Sequence, residues 1–175
     1  MKKIFFTLLL GTLLFQSTAS GSNASVDEVI KSSFAGVSSI EPRQIILTKD
    51  QFSQVQSKAK AAVRTKVYRY YEIKSSTERL GYAVLIARKV RAKKATVLYA
   101  FDKSGRLKFT EIMAFGEPPE YLPNKTWMGQ LQDQDESAAL TVGKDIPTIS
   151  GSTLSARSIT EGARVARAIY EIVLK

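Results

Sequence analysis

The chain has 175 residues, 26 of them Lys or Arg against 16 Asp or Glu, which gives a formal charge of +10 at neutral pH. It contains no cysteine and no histidine. Those absences exclude disulfides, thiolate metal sites, cysteine-ligated iron–sulfur clusters and c-type haem, and equally a Ser-His-Asp triad, an imidazole metal ligand and a histidine proton shuttle.

The first twenty residues read as an export signal. Lys2 and Lys3 form a positive start, Ile4 to Phe15 is almost uninterruptedly apolar, and small residues follow at Ser17, Ala19 and Ser20. About a dozen apolar residues are too few for a membrane span, which needs roughly 20. The expectation is a signal peptide over 1–20 and a single exported domain over 21–175. Without 1–20, which hold two lysines and no acid, the charge falls from +10 to +8. A basic exported domain favours anionic membrane surfaces or acidic proteins as partners, and nucleic acid is a poor partner for that compartment.

Val26 to Phe34 has the spacing of a short helix that Gly36 would end. Arg43 to Thr48 is β-rich around Ile45-Ile46-Leu47, and Asp50 is placed to cap a helix from Gln51 to about Arg64. From Lys66 to Phe115 the apolar period becomes two. Strands are expected at Val67–Ile73, Gly81–Val90, Ala95–Phe101 and Leu107–Phe115, the last two joined by Asp102-Lys103-Ser104-Gly105. Consecutive strands with short turns make an antiparallel sheet. The class is therefore α+β, with about four to five strands, N-terminal helices and a C-terminal helix packed on them.

The turn bearing Arg88, Lys89, Arg91, Lys93 and Lys94 is the densest charge cluster. It reads as a solvated turn that blunts sheet edges, or as a docking patch for an anionic partner or lipid headgroups. Tyr68, Tyr70 and Tyr71 read as core and sheet-surface packing, with stacking on a planar ring ligand as the alternative. The loop Glu117 to Lys125 carries three prolines and cannot continue the sheet. Its prolines would fix where Glu117, Glu120 and Tyr121 point. Two readings stand side by side: the loop and Trp127 line a ligand pocket, or they form a stiff connector anchored in the core by Tyr121 and Trp127.

Last comes the stretch Asp145 to Gly162, with Ser150-Gly151-Ser152-Thr153 ahead of a helical pattern. Glycine lets the backbone turn tightly against a ligand. The following helix offers free N–H groups and a positive dipole end, which together favour phosphate. Ser158-Ile159-Thr160-Glu161 has capping-box spacing and sets the expected helix start, with Ile159, Ala163, Ala166, Ile169, Ile172 and Val173 on the inner face.

Ile149 to Arg157 resembles the Ser-Gly-Ala-Thr motif of the FMN-binding domain family, which includes the periplasmic flavin subunits of the sodium-pumping quinone reductase and of the Rnf complex. Glu117-Pro118-Pro119-Glu120-Tyr121-Leu122-Pro123 and Trp127 resemble a loop of short, single-domain exported members, so the similarity covers roughly Gly81 to Lys175. The resemblance implies FMN joined through its phosphate to the Thr153 hydroxyl by a dedicated flavin transferase that uses FAD. Around it, the implied cofactor-binding residues are Ser150, Gly151, Ser152, Leu154, Ser155, Asp145, Glu117 and Tyr121, with Arg157 near enough in sequence to assist. Two positions depart from the family pattern. Ser152 replaces alanine, and Pro147 stands where an acid is usual, Asp145 being the nearest carboxylate before it.

The implied function is an exported electron carrier or redox subunit, periplasmic and either soluble or membrane-associated, rather than an independent enzyme. Its partners would be a flavin transferase and a membrane or periplasmic redox protein, such as a cytochrome or a quinone-linked protein. No catalytic residue and no metal site are expected. The competing expectation is a flavin-free exported domain whose basic face docks an acidic protein or a membrane. A third has the domain binding phosphate-bearing ligands without a bond.

Overall fold

The computed structural model describes residues 25–175, so the expected signal peptide lies outside the described residues. Five antiparallel strands follow one another as a meander in the order β1-β2-β3-β4-β5. They are β1 (Ser39–Ile46), β2 (Val67–Lys74), β3 (Arg79–Lys89), β4 (Lys94–Asp102) and β5 (Leu107–Phe115). The period-two expectation holds for all four central and C-terminal strands. The β-rich run around Ile45 becomes a full fifth strand, whose Pro42 is tolerated because β1 is an edge.

Helices cover both faces of the sheet. α1 (Val26–Ser33) buries Ile30, and the adjoining Phe34 packs edge-on against Phe109 of β5. With Tyr71, Ile73, Ala83, Leu98 and Ala100 these form the smaller core. On the opposite face, α2 (Lys49–Ala59) and α4 (Thr153–Ile169) pack over Tyr68, Val84, Ile86, Val97, Tyr99 and Phe101. This is the α+β arrangement expected from the sequence.

Tyr99 shows how closely α4 is seated. It is 1% exposed and donates its hydroxyl to the Ile159 carbonyl at 2.7 Å, while burial pushes its pKa far up. A side-chain carbon on Gly162 would collide with that hydroxyl, so glycine is what lets the helix approach the sheet.

Two helix starts differ from expectation. α2 is capped by Thr48, in a capping box with Gln51, and Asp50 sits inside the first turn. α4 begins at Thr153, not near Ser158. Ser158 and Glu161 answer to long-range partners instead: Ser158 donates to the Lys89 carbonyl at 3.3 Å, and Glu161 pairs with Arg88. The four residues Leu154-Ser155-Ala156-Arg157 carry nothing that stops a helix. After Ile169 the chain continues as a π-helical turn, Tyr170–Leu174, with Tyr170 stacked on Phe101. Among the described residues no helix is long and apolar enough to cross a membrane.

Candidate functional site

Because α4 starts at Thr153, the glycine turn abuts the helix directly. Gly151 has φ +77°, a left-handed conformation that non-glycine residues rarely adopt, and open space lies where a side chain would be. Ser152 occupies the N-cap but gives no side-chain cap. Its hydroxyl donates to the Glu120 carbonyl at 3.2 Å, tying the proline loop to the glycine turn. The first-turn amides of α4 therefore keep the unpaired donors and positive partial charge of a helix N-terminus.

Thr153 is exposed, and its Oγ1 donates to the Ile149 carbonyl at 3.1 Å. In front of it lies a depression of about 210 Å³, lined by Gly151, Ser152, Thr153, Leu154, Ser155, Tyr121 and Arg91. Ser155 is 1% exposed, and its Oγ finds no hydrogen-bond partner among the described residues. A buried hydroxyl left this way costs about 1–3 kcal/mol, so it marks a place where a polar ligand atom would be welcome.

Arg91 is the residue that sequence reasoning placed only in a basic turn. Its guanidinium lies over the Tyr121 ring, 4.4 Å from the centroid. The turn between β3 and β4 carries it there, and Glu117 shapes that turn. Glu117 is 8% exposed, and one carboxylate oxygen accepts the N–H groups of Arg91, Ala92 and Lys93 at 2.7–2.8 Å. The amide of Lys93, then those of Arg91 and Ala92, hold its pKa below the ordinary glutamate value against the opposing effect of burial. No local pattern could have found this pairing, since strand register alone decides which turn faces α4.

The structure brings together Thr153, Gly151, Ser152, Leu154, Ser155 and Tyr121 from the expected set. Glu117 stands behind the site and acts through Arg91. Ser150 is exposed in the adjoining turn, outside the lining of the depression.

Asp145 is engaged elsewhere. Its two oxygens accept the Leu140 and Thr141 amides at 2.6 and 2.7 Å and close the preceding loop. Burial pushes its pKa up, but these backbone bonds outweigh it and keep the group low. Trp127 is buried in the larger core and donates its indole N–H to the Pro147 carbonyl at 2.8 Å. It matches the connector reading of the proline loop, whereas Tyr121 is half-buried and lines the depression instead of entering the core.

A phosphate fits this donor set. Residues that carry free first-turn N–H groups, an orphaned buried hydroxyl and a guanidinium line the depression, and no carboxylate does. At about 210 Å³ the space is smaller than the roughly 300–1,000 Å³ of sites that enclose a whole drug-sized ligand. It suits the phosphate end of a larger molecule. A separate cavity of about 530 Å³ is lined by Leu122 and Pro123, by Ile112, Met113 and Phe115 of β5, and by the polar residues Thr110, Glu111, Lys125 and Gln132. No protein-family model matches the chain, and no curated protein matches it.

Proposed function

We propose that this protein is an exported flavoprotein electron carrier that holds FMN by its phosphate at Thr153. The observation that carries the reading is the exposed Thr153 hydroxyl at the uncapped start of a long packed helix, beside the buried, unpartnered Ser155 Oγ and the Arg91 guanidinium. A bound flavin accepts electrons singly or in pairs and would supply the redox chemistry that a chain without cysteine or histidine lacks.

The protein's own residues have separate tasks. Gly151 turns the backbone so that the first amides of α4 face outward, and Ser155 and Arg91 add a hydroxyl and a cation to the anion site. Ser152 anchors the Glu120 carbonyl and thereby fixes Tyr121 beside Thr153. For covalent attachment, the Thr153 hydroxyl, which now bonds to the Ile149 carbonyl, would be the group to receive the FMN phosphoryl from FAD, losing its proton to the transferase with AMP as the leaving group. A flavin transferase would supply the base, because Asp145 and Glu117 are both held by backbone amides. Thr153 is thus a modification site, and turnover belongs to partner proteins.

The test is intact mass after export in cells that also express a flavin transferase. An FMN-sized increase, kept in Thr153→Ser and lost in Thr153→Val, supports the reading. An unmodified and colourless protein counts against it. A chromophore released on denaturation would mean that the phosphate is held without a bond.

A second reading rests on Lys89, Lys93 and Lys94, all exposed around the same turn. In it the domain carries no flavin and docks an acidic protein or membrane through that face. Salt-sensitive binding to anionic vesicles by colourless protein would favour it.

A further inference from the structure

Beyond the N-terminal half of α4, a cleft of about 470 Å³ opens between α4, the end of α2 and the segment 136–144. Arg164 and Arg167, three residues apart and so on one side of the helix, form its wall. Arg164 donates Nε to the Ala59 carbonyl at 3.0 Å, and Nη1 to the Leu140 carbonyl at 3.0 Å and Thr141 Oγ1 at 3.3 Å. Arg167 is 7% exposed and donates only Nη1, to the carbonyls of Ala138 at 2.6 Å and Glu136 at 3.3 Å. Its Nε and Nη2 are buried and reach no acceptor among the described residues.

A guanidinium buried with half its fork unpaired is costly unless something answers it. Two acids line the cleft, and each also faces a lysine. Glu171 pairs with Lys58, and Glu136 lies 3.6 Å from Lys175. Lys60 and Lys144 stand exposed on the same lining and add two more cations. Burial lowers the pKa of both arginines, against the opposing pull of Glu161 and Asp145 on Arg164 and of Glu171 and other nearby acids on Arg167. Carbonyl capping of the 136–141 segment explains Nη1 of each arginine, but not the vacant edge of Arg167 or the surplus of positive charge around it.

We infer that this cleft is a second anion site, separate from Thr153, which takes the phosphate group of a small phosphomonoester. A phosphate carries nearly two charges at neutral pH and suits a lining that sets five cations, Lys58, Lys60, Lys144, Arg164 and Arg167, against two carboxylates. The unpaired Nε–H and Nη2–H of Arg167 donate to two of its oxygens, with Lys60 and Lys144 closing from the rim. Ala59, Ala138, Ala139 and Ala168 leave an apolar wall for the organic part, and the volume lies within the usual range for small-molecule sites.

The experiment is a titration of the ¹⁵N-labelled protein with inorganic phosphate at constant ionic strength, following the backbone amide and the arginine Nε–Hε resonances. The expected result is saturable movement of the Arg164 and Arg167 signals, with an affinity of about millimolar or tighter. In a Lys60→Gln/Lys144→Gln variant, altered only at exposed positions, binding weakens about tenfold or more, which is about 1.4 kcal/mol or more. Thr153→Val leaves it unchanged, and so separates this cleft from the flavin site. Absence of saturable movement, equal affinity in the double variant, or shifts confined to Gly151–Ser155 would each overturn the inference.

Discussion

The guanidinium of Arg91 lies 4.4 Å from the centre of the Tyr121 ring, at the depression in front of Thr153. Neither residue is near Thr153 in the chain. Arg91 arrives on the β3–β4 turn and Tyr121 on a short 3₁₀ turn, Pro119–Tyr121. An exposed cation–π contact is worth about 0.5–1 kcal/mol, so Arg91→Gln should lower stability by no more than that in a urea unfolding curve. Under the proposed flavin assignment, flavin loading is the sharper readout. If Arg91 steadies the incoming phosphate by a similar energy, Arg91→Gln slows loading roughly twofold to fivefold, whereas Arg91→Lys retains most of it.

Glu117 gives the site a pH dependence that can be worked out in sign. Its folded pKa lies below the ordinary value, because three amides stabilise the carboxylate. Its contribution to stability is therefore complete above the unfolded glutamate value and is lost as pH falls through the lower, folded one. Amide resonances of Arg91, Ala92 and Lys93 should titrate together in acid, with a midpoint below that of an ordinary glutamate. In Glu117→Ala that titration disappears, the turn amides exchange faster with solvent, and flavin loading drops with Arg91→Gln. A midpoint at or above the ordinary value would show that the carboxylate does not hold the turn.

Gly162→Ala tests how α4 sits on the sheet. The added carbon meets the Tyr99 hydroxyl, which is locked onto the Ile159 carbonyl. Overpacking of this kind typically costs about 1–3 kcal/mol, although alanine alone would favour the helix by about 1 kcal/mol over glycine. The expected net change is a loss of stability, seen as a lower denaturant midpoint. Pairing it with Tyr99→Phe should recover part of the loss, since the hydroxyl is the atom in the way.

The sheet was legible because period two survives in Val67–Ile73 and Leu107–Phe115, and because polar turns separate the runs. The glycine turn and Thr153 were legible as a local pattern. What local pattern could not reveal is where a side chain finds a partner far along the chain. Ser158 and Glu161 satisfy the capping-box spacing, yet they lie inside α4 and bond to Lys89 and Arg88 on the sheet. Arg91, Glu117 and the Arg164–Arg167 cleft belong to the same class. Each is an ordinary charged residue in sequence, and only strand register and helix packing give it a role.

The Arg88–Glu161 pair offers the last test, because it joins the basic turn's strand to α4. The two side chains are 11% and 27% exposed, and Arg88 also donates Nη1 to the Ala62 carbonyl at 2.8 Å. Its Nε has no partner among the described residues, so the guanidinium depends on Glu161 for compensation. Glu161→Ala removes the acid and leaves a largely buried cation, for which fully buried cases lose about 3–5 kcal/mol. Partial exposure of Glu161 reduces this to an expected loss of roughly 1–3 kcal/mol. Arg88→Met in the same background should cost less than it does alone, because the stranded charge has gone. The interaction energy from this double-mutant cycle, measured by urea unfolding, should be clearly non-zero. Strict additivity would mean that solvent screens the pair and that apolar packing alone holds α4 on β3.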